Sequence, residues 1–176
     1  MGLQDSKLLV AGTINPNVSA QTASASNPPI TGQDLTGVTA GTVTLSQYSI
    51  DLNPVAGTGI DIGEGAPLFL KWLITTAFTG ATGLTIAVVT ADNSGLSTNL
   101  TTLNSQAAPA LTAGTFGYLP IPPQIASGGA SGLGQEFIGA TFTPTGGTVT
   151  AGKIVAEITN QVDDPKSFYK SGFTVA

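Results

Sequence analysis

The sequence contains no cysteine, no histidine and no arginine. Without histidine there is no imidazole base, no Ser-His-Asp triad and no imidazole metal ligand. Without cysteine there is no disulfide, no thiolate metal site and no thiol nucleophile, and the redox compartment is left open. Charge is scarce too. Charged residues make up 9% of the chain, against roughly 25% in ordinary globular domains. The five basic residues are isolated lysines at 7, 71, 153, 166 and 170. That distribution excludes a general nucleic-acid binder, which needs clustered cations, and gives no attraction to an anionic membrane. No apolar run approaches the ~18 residues of a membrane-spanning helix. The N-terminus lacks the basic and apolar regions of a signal peptide. Met1, Gly2 and Ser6 match the short myristoylation pattern, a coincidence at that length.

What is present is small and turn-forming. Glycine (23) and proline (11) are plentiful in 176 residues, 41% of which are hydrophobic. This is the composition of short strands and many turns in one domain with a real core, and not of long helices. The net charge is −5. A surface so poor in charge is weakly protected against self-association, so partners are expected to cover part of it.

The stretch 61–90 organises the chain. A glycine-rich turn (61–67) leads into an apolar run (68–74), a small-residue turn (79–83) and a second run (84–90). Leu70, Trp72 and Ile74 share a parity with Leu68, and Ile86 and Val88 share one with Leu84. This alternation reads as two antiparallel strands joined by a hairpin. Further strands are expected at 7–10, 42–52, 96–103, 116–121, 136–142 and 149–158, with Ile154 and Ile158 on one face of the last. The core is therefore expected to contain Leu70, Trp72, Ile74, Ile86, Val88, Ile154 and Ile158. In 42–52 the apolar phase slips between Leu45 and Tyr48, which calls for a bulge or a strand crossing between sheets. Pro120, Pro122 and Pro123 suit a sheet edge. Residues 144–147 read as a turn.

Residues 15–40 show no period, and Pro28 and Pro29 forbid regular structure at that point. A loop of this length draped over a compact domain would be unusual. The organisation expected is an extended N-terminal arm (1–40), an antiparallel β-sandwich (41–158), and a tail (159–176) packed on its own or a neighbouring subunit. Apolar residues in the arm come in brief patches. Leu8, Leu9, Val10, Ile14, Val18, Ile30 and Leu35 are candidate contacts with another subunit or a partner surface. In the tail Phe168, Tyr169 and Phe173 are too apolar for a free end. Lys71, between Leu70 and Trp72, either snorkels from a partly covered face or pairs across a subunit contact, and the contact is favoured.

Catalytic candidates reduce to carboxylates. Asp51, Asp61 and Glu64 surround the turn before the first long strand and could be drawn as a calcium site or an acid pair. An acid beside glycines in a turn more often caps free backbone N–H groups. Asp51, Asp61, Gly63, Glu64, Gly65 and Pro67 are accordingly read as turn-structuring residues, with no catalytic residue, no metal and no cofactor. Gly57, Gly59 and Gly63 do not make a phosphate loop, because the lysine and the following helix are missing. Asn17-Val18-Ser19 and Asn99-Leu100-Thr101 match the glycosylation pattern, which carries nothing without a secretion signal. Trp72, in the middle of an apolar strand, reads as core and not as a ligand platform.

Residues 50–79 resemble one known family. Asp51-Leu52 ends a strand; Asp61-Ile62-Gly63-Glu64-Gly65 and Pro67-Leu68 follow a glycine-bearing turn; and Thr75-Thr76-Ala77-Phe78 closes the next strand. This pattern is similar to that of the capsid cement proteins of tailed phages, of the kind known from a Bordetella phage. Ala66 stands where an acid is common in that family. Looser matches occur at 119–123, 137–139 and 150–152, so the resemblance spans roughly 42–158 and fades in 15–40 and in the tail. It implies an antiparallel jelly-roll β-sandwich that forms a homotrimer on the outer surface of a phage head and clamps neighbouring major capsid proteins. It carries over no active residue. The alternatives are another virion part, such as a fibre, spike or tail protein, and a carbohydrate-binding module.

Overall fold

The computed structural model describes residues 9–14, 30–52, 67–123 and 135–160. Every regular element among them is a strand. In chain order they are β1 (Leu9–Ala11), β2 (Thr13–Ile14), β3 (Ile30–Thr31), β4 (Gln33–Asp34), β5 (Thr44–Leu45), β6 (Ile50–Asp51), β7 (Leu68–Thr79), β8 (Gly83–Ala91), β9 (Thr101–Ala107), β10 (Phe116–Ile121), β11 (Phe137–Thr145) and β12 (Ala151–Thr159). They form a two-sheet antiparallel β-sandwich. The first sheet runs β1-β12-β7-β10, with β4 also on β12; the second runs β5-β11-β8-β9, with β6 also on β11. β2 and β3 pair with each other.

The two central runs do not form a hairpin. β7 and β8 lie in different sheets, and the turn between them is a corner from one sheet to the other. The physical reason is in their apolar faces. Leu70, Trp72 and Ile74 on β7 and Leu84, Ile86 and Val88 on β8 are all buried in one cluster. Two strands side by side in one sheet would align these rows; one strand in each sheet places them face to face, which buries both. Ile154 and Ile158 of β12 and Phe142 of β11 complete the same core. Gly80, at φ 84°, makes the corner. The step from β11 to β12 also crosses between sheets.

Trp72 fixes one further residue. It lies opposite Gly117 in the β7–β10 ladder, and a Cβ on Gly117 would come within 2.6 Å of its Cζ2. The indole occupies the space of the missing side chain. Gly117→Ala must push the ring against a packed core, and a loss of about 1–3 kcal/mol is expected. A thermal melt superimposing on wild type would show the ring to be free to move.

The stretch read as an arm is partly sewn into the sandwich. β1 and β4 share one edge of β12, with Leu9 opposite Glu157 and Gln33 opposite Ile154. Val10, Ala11 and Leu35 sit in the main core at 0% exposure, and Leu9 is buried as well. Leu9, Val10 and Leu35, expected as subunit or capsid contacts, therefore pack within their own chain. Ile30 is half-buried in β3 and Ile14 lies in β2. Leu8 and Val18 lie outside the described residues. A strand of two or three residues is too short to display a period, which is why these patches could not be read as strands.

Two glutamines close this edge. Gln33 Nε2 donates to Leu45 O at 2.8 Å, Gln47 N donates to Gln33 Oε1 at 3.1 Å, and Gly12 N donates to Gln47 Oε1 at 3.0 Å. They tie β4 of one sheet to β5 of the other. Between β5 and β6 the chain bulges: residues 46–49 stand against only 139 and 140 of β11. Ser46 fills the gap, its Oγ accepting from Ala140 N at 3.0 Å. Tyr48 N reaches across to Val10 O. This is the phase slip read between Leu45 and Tyr48. It moves the apolar side from Leu45, on a small outer cluster, to Leu52 in the main core and Ile50 packed against it.

Several strand boundaries differ from expectation: β7 runs on to Thr79 and β12 starts at Ala151. Residues 96–100 form a loop, with Leu96 and Asn99 at positive φ, and the strand begins at Thr101. Leu96 folds back over the outside of the second sheet onto Ala87, Val89 and Ala91. Asn93 Oδ1 holds this loop by accepting from Ser97 N and Thr98 N. Pro144, read as turn, continues β11 opposite Leu84. It has no N–H to offer, but its carbonyl accepts from Gly41 N at 2.8 Å.

Candidate interaction surface

The side chains of β7 that do not enter the core stand on the outer face of the first sheet. The ladders place them in rows. Leu9, Glu157, Lys71 and Tyr118 form one row across β1, β12, β7 and β10. Val155, Leu73 and Phe116 form the next, and Thr159, Phe69 and Pro120 the one on the other side. An outer face normally alternates polar residues against the inner apolar ones. Here Phe69, Leu73, Phe116 and Tyr118 make an apolar strip, with Phe116 38% exposed and the other three half-buried.

The rings are ordered against one another. Phe69 and Tyr118 meet edge to face with centroids 6.5 Å apart, and Phe116 and Tyr118 do the same at 6.2 Å. Such pairs contribute roughly 0.5–1.5 kcal/mol beyond burial, so the strip is preformed. Lys71 Nζ lies 3.3 Å from Glu157 Oε1 beside it, with the two side chains 23% and 10% exposed. The charge expected to find a partner across a subunit contact is met within the chain, because cross-strand neighbours face the same side.

Part of this face is covered by the chain itself. Where the chain leaves β1 and returns to β4 it passes close over β12. A Cβ on Gly12 would meet Val155 Cγ2 at 3.1 Å, and one on Gly32 would meet Ile154 N at 2.8 Å. Gly12 also takes φ 97° there. Val155 is only 2% exposed in consequence. At the same edge Lys153 Nζ lies 3.7 Å from Asp34 Oδ2. Hydrogen bonds from Thr36, through its side chain and its N–H, hold the Asp34 carboxyl below its usual value, and Lys153 adds to this. A depressed carboxyl contributes at neutral pH and stops contributing as pH falls through its titration. The pair is exposed, so the contribution is small.

The turn read as structuring the chain is described only at its two ends. Asp51 pairs with Phe137 at the end of β6, and Pro67 precedes β7. Asp61, Gly63, Glu64 and Gly65 lie outside the described residues, as do Phe168, Tyr169 and Phe173. Among the described residues no group of three His, Cys, Asp or Glu side chains could hold a metal, and no helix is long and apolar enough to cross a membrane. The aromatic strip was missed as a surface, though its signal is in the sequence. Phe69 and Leu73 share the parity of Lys71, and Phe116, Tyr118 and Pro120 share one parity of their strand. β7 is apolar on both faces, and only one face can meet the other sheet.

No curated protein matches the chain. The signature of one family does, over residues 32–158. That range opens at β4 and closes in β12, so it takes in both sheets and leaves out β1, β2, β3 and the tail. With more than two thirds of its length matched, this chain belongs to the phage-associated family Bbp16.

Proposed function

We propose that this protein is a capsid cement, or decoration, protein. It sits on the outer surface of a phage head as a homotrimer and clamps neighbouring major capsid proteins, with no enzymatic activity and no cofactor. The observation that carries the reading is the Bbp16 match, which takes in most of both sheets. Two things support it further. The first is the sheet arrangement. Two packed antiparallel sheets, one of β1, β4, β12, β7 and β10 and the other of β5, β6, β11, β8 and β9, suit a jelly roll, a double-sheet fold used by viral capsid proteins. The second is composition: low charge, no histidine and no cysteine suit a structural part. Closed symmetry would let one patch serve every copy without open-ended growth.

The alternative of a fibre, spike or tail protein shares the phage context and differs in its partner. A carbohydrate-binding module has less support. Its rings would lie open as a platform, whereas Phe69, Tyr118 and Phe116 pack edge to face, and the acid beside them is taken by Lys71. Mixing the purified chain with phage heads that lack it tests the reading. Co-sedimentation that saturates, together with raised heat resistance of the heads, is expected. Heads that pellet without the protein, or unchanged heat resistance at saturation, would refute the cement role.

A further inference from the structure

We infer that the aromatic strip on the outer face of the first sheet is the docking site for the C-terminal tail of the same chain, through Phe168, Tyr169 and Phe173. Four observations converge on that occupant. First, the strip is apolar and ordered: Phe69, Tyr118 and Phe116 are locked edge to face yet leave Phe116 exposed to 38%. Second, the chain enters the tail at this place. The last ladder residue of β12, Thr159, lies directly opposite Phe69, which in turn lies opposite Pro120. Third, the tail carries the complementary chemistry. The sixteen residues 161–176 hold three aromatic side chains in a chain that is only 6% aromatic. Fourth, the reach is sufficient. An extended chain covers about 3.3 Å per residue, and Phe116 lies only four ladder positions beyond Pro120. Seven residues lie between Asn160 and Phe168, enough to run past the whole strip with slack.

The geometry also limits where on the face the tail can lie. Val155 is already covered beside Gly12, at the β1–β4 side of the sheet. Lys71 and Glu157 occupy the middle as a pair. The tail is therefore assigned to the β10 side, along Phe69, Tyr118, Phe116 and Pro120. Docking there would bury the exposed ring edges in aromatic contacts of the kind already formed within the strip. It would also shelter the Lys71–Glu157 pair from water, where it is screened less. This inference stands apart from the capsid reading, since it concerns only how the chain completes its own surface.

The absence of native cysteine makes the test direct. In the full chain, Pro120→Cys is combined with Lys170→Cys and the protein is oxidised under dilute conditions. A disulfide within one chain is expected. It should form about tenfold more slowly when Phe168, Tyr169 and Phe173 are all changed to Ser, because tethering alone then sets the local concentration. Tyr118→Ser should slow it too, and circular dichroism verifies that each variant keeps its sheet. Equal rates with and without the tail aromatics would overturn the proposal, as would no bridge at all. Slowing by the tail substitutions but not by Tyr118→Ser would place the tail elsewhere. A bridge formed between two chains would assign the strip to a neighbouring copy and end the same-chain assignment.

Discussion

A chain beginning at residue 36 is expected to lose its cooperative thermal transition. The deletion removes β1 and β4, both of which cover one edge of β12. It removes Val10, Ala11 and Leu35 from the main core. Burying a Val or Leu side chain contributes about 1.5–3 kcal/mol, so Val10 and Leu35 together account for much of a domain's total of about 5–15 kcal/mol. The loss does not stop at apolar area. Without Gln33 the clasp between the sheets opens, and Leu45 O and Gln47 N lose their partners. The exposed edge of β12 is then an unpaired template for other strands, so aggregation is the expected fate of the truncated chain. A soluble product with an unchanged melting temperature would show that the sandwich stands without these strands. Removing residues 15–29 alone, with the ends of β2 and β3 joined by a short turn, should be far milder, since β2 and β3 already pair there.

Trp72→Ala is the second large effect, at about 3–5 kcal/mol. The indole is wholly buried between the sheets and lies over Gly117, so its removal leaves a void that a glycine neighbour cannot fill. Its Nε1 adds a detail. Among the described residues this nitrogen has no hydrogen-bond partner. A buried donor left unmade is costly, so replacing it by an apolar group recovers part of what the smaller ring loses. Trp72→Phe should therefore cost clearly less than Trp72→Ala. Chemical denaturation of the two variants separates them. Equal losses would mean that the N–H is satisfied, and a loss below about 1 kcal/mol for the alanine would mean that the site collapses around the gap.

The long strands were legible in the sequence because alternation over six or more residues leaves little else to propose. Phe116 to Ile121 was read with its bounds intact, and the core faces of β7, β8 and β12 followed from parity. What failed was pairing. Parity states which side chains share a face; it does not state which strand lies beside which. The β7–β8 turn reads as a hairpin for that reason, although apolar residues on both parities of β7 argue for a strand covered on two sides. The brief patches at Leu9, Val10 and Leu35 failed for another reason. Each is shorter than one readable period, and their places are set by the distant partners β12 and Gln47. Leu96 was misread because its burial depends on a positive φ and on the missing side chain of Gly139, whose Cβ would come within 2.5 Å of Leu96 Cδ1. The interaction surface was half visible. Phe116 and Tyr118 share one parity of their strand, but the strip needs Phe69 from the neighbouring strand, and only the β7–β10 register supplies it.

The central claim is that this Bbp16-family sandwich decorates the outside of a phage head. Electron cryo-microscopy of the intact virion, at a resolution that traces strands, tests it most directly. The account predicts density for the sandwich of residues 32–158 on the outer surface of the head, as trimers at local three-fold positions between major capsid proteins. Density for the same sandwich confined to the tail, a fibre or a spike, with a bare head surface, would contradict it.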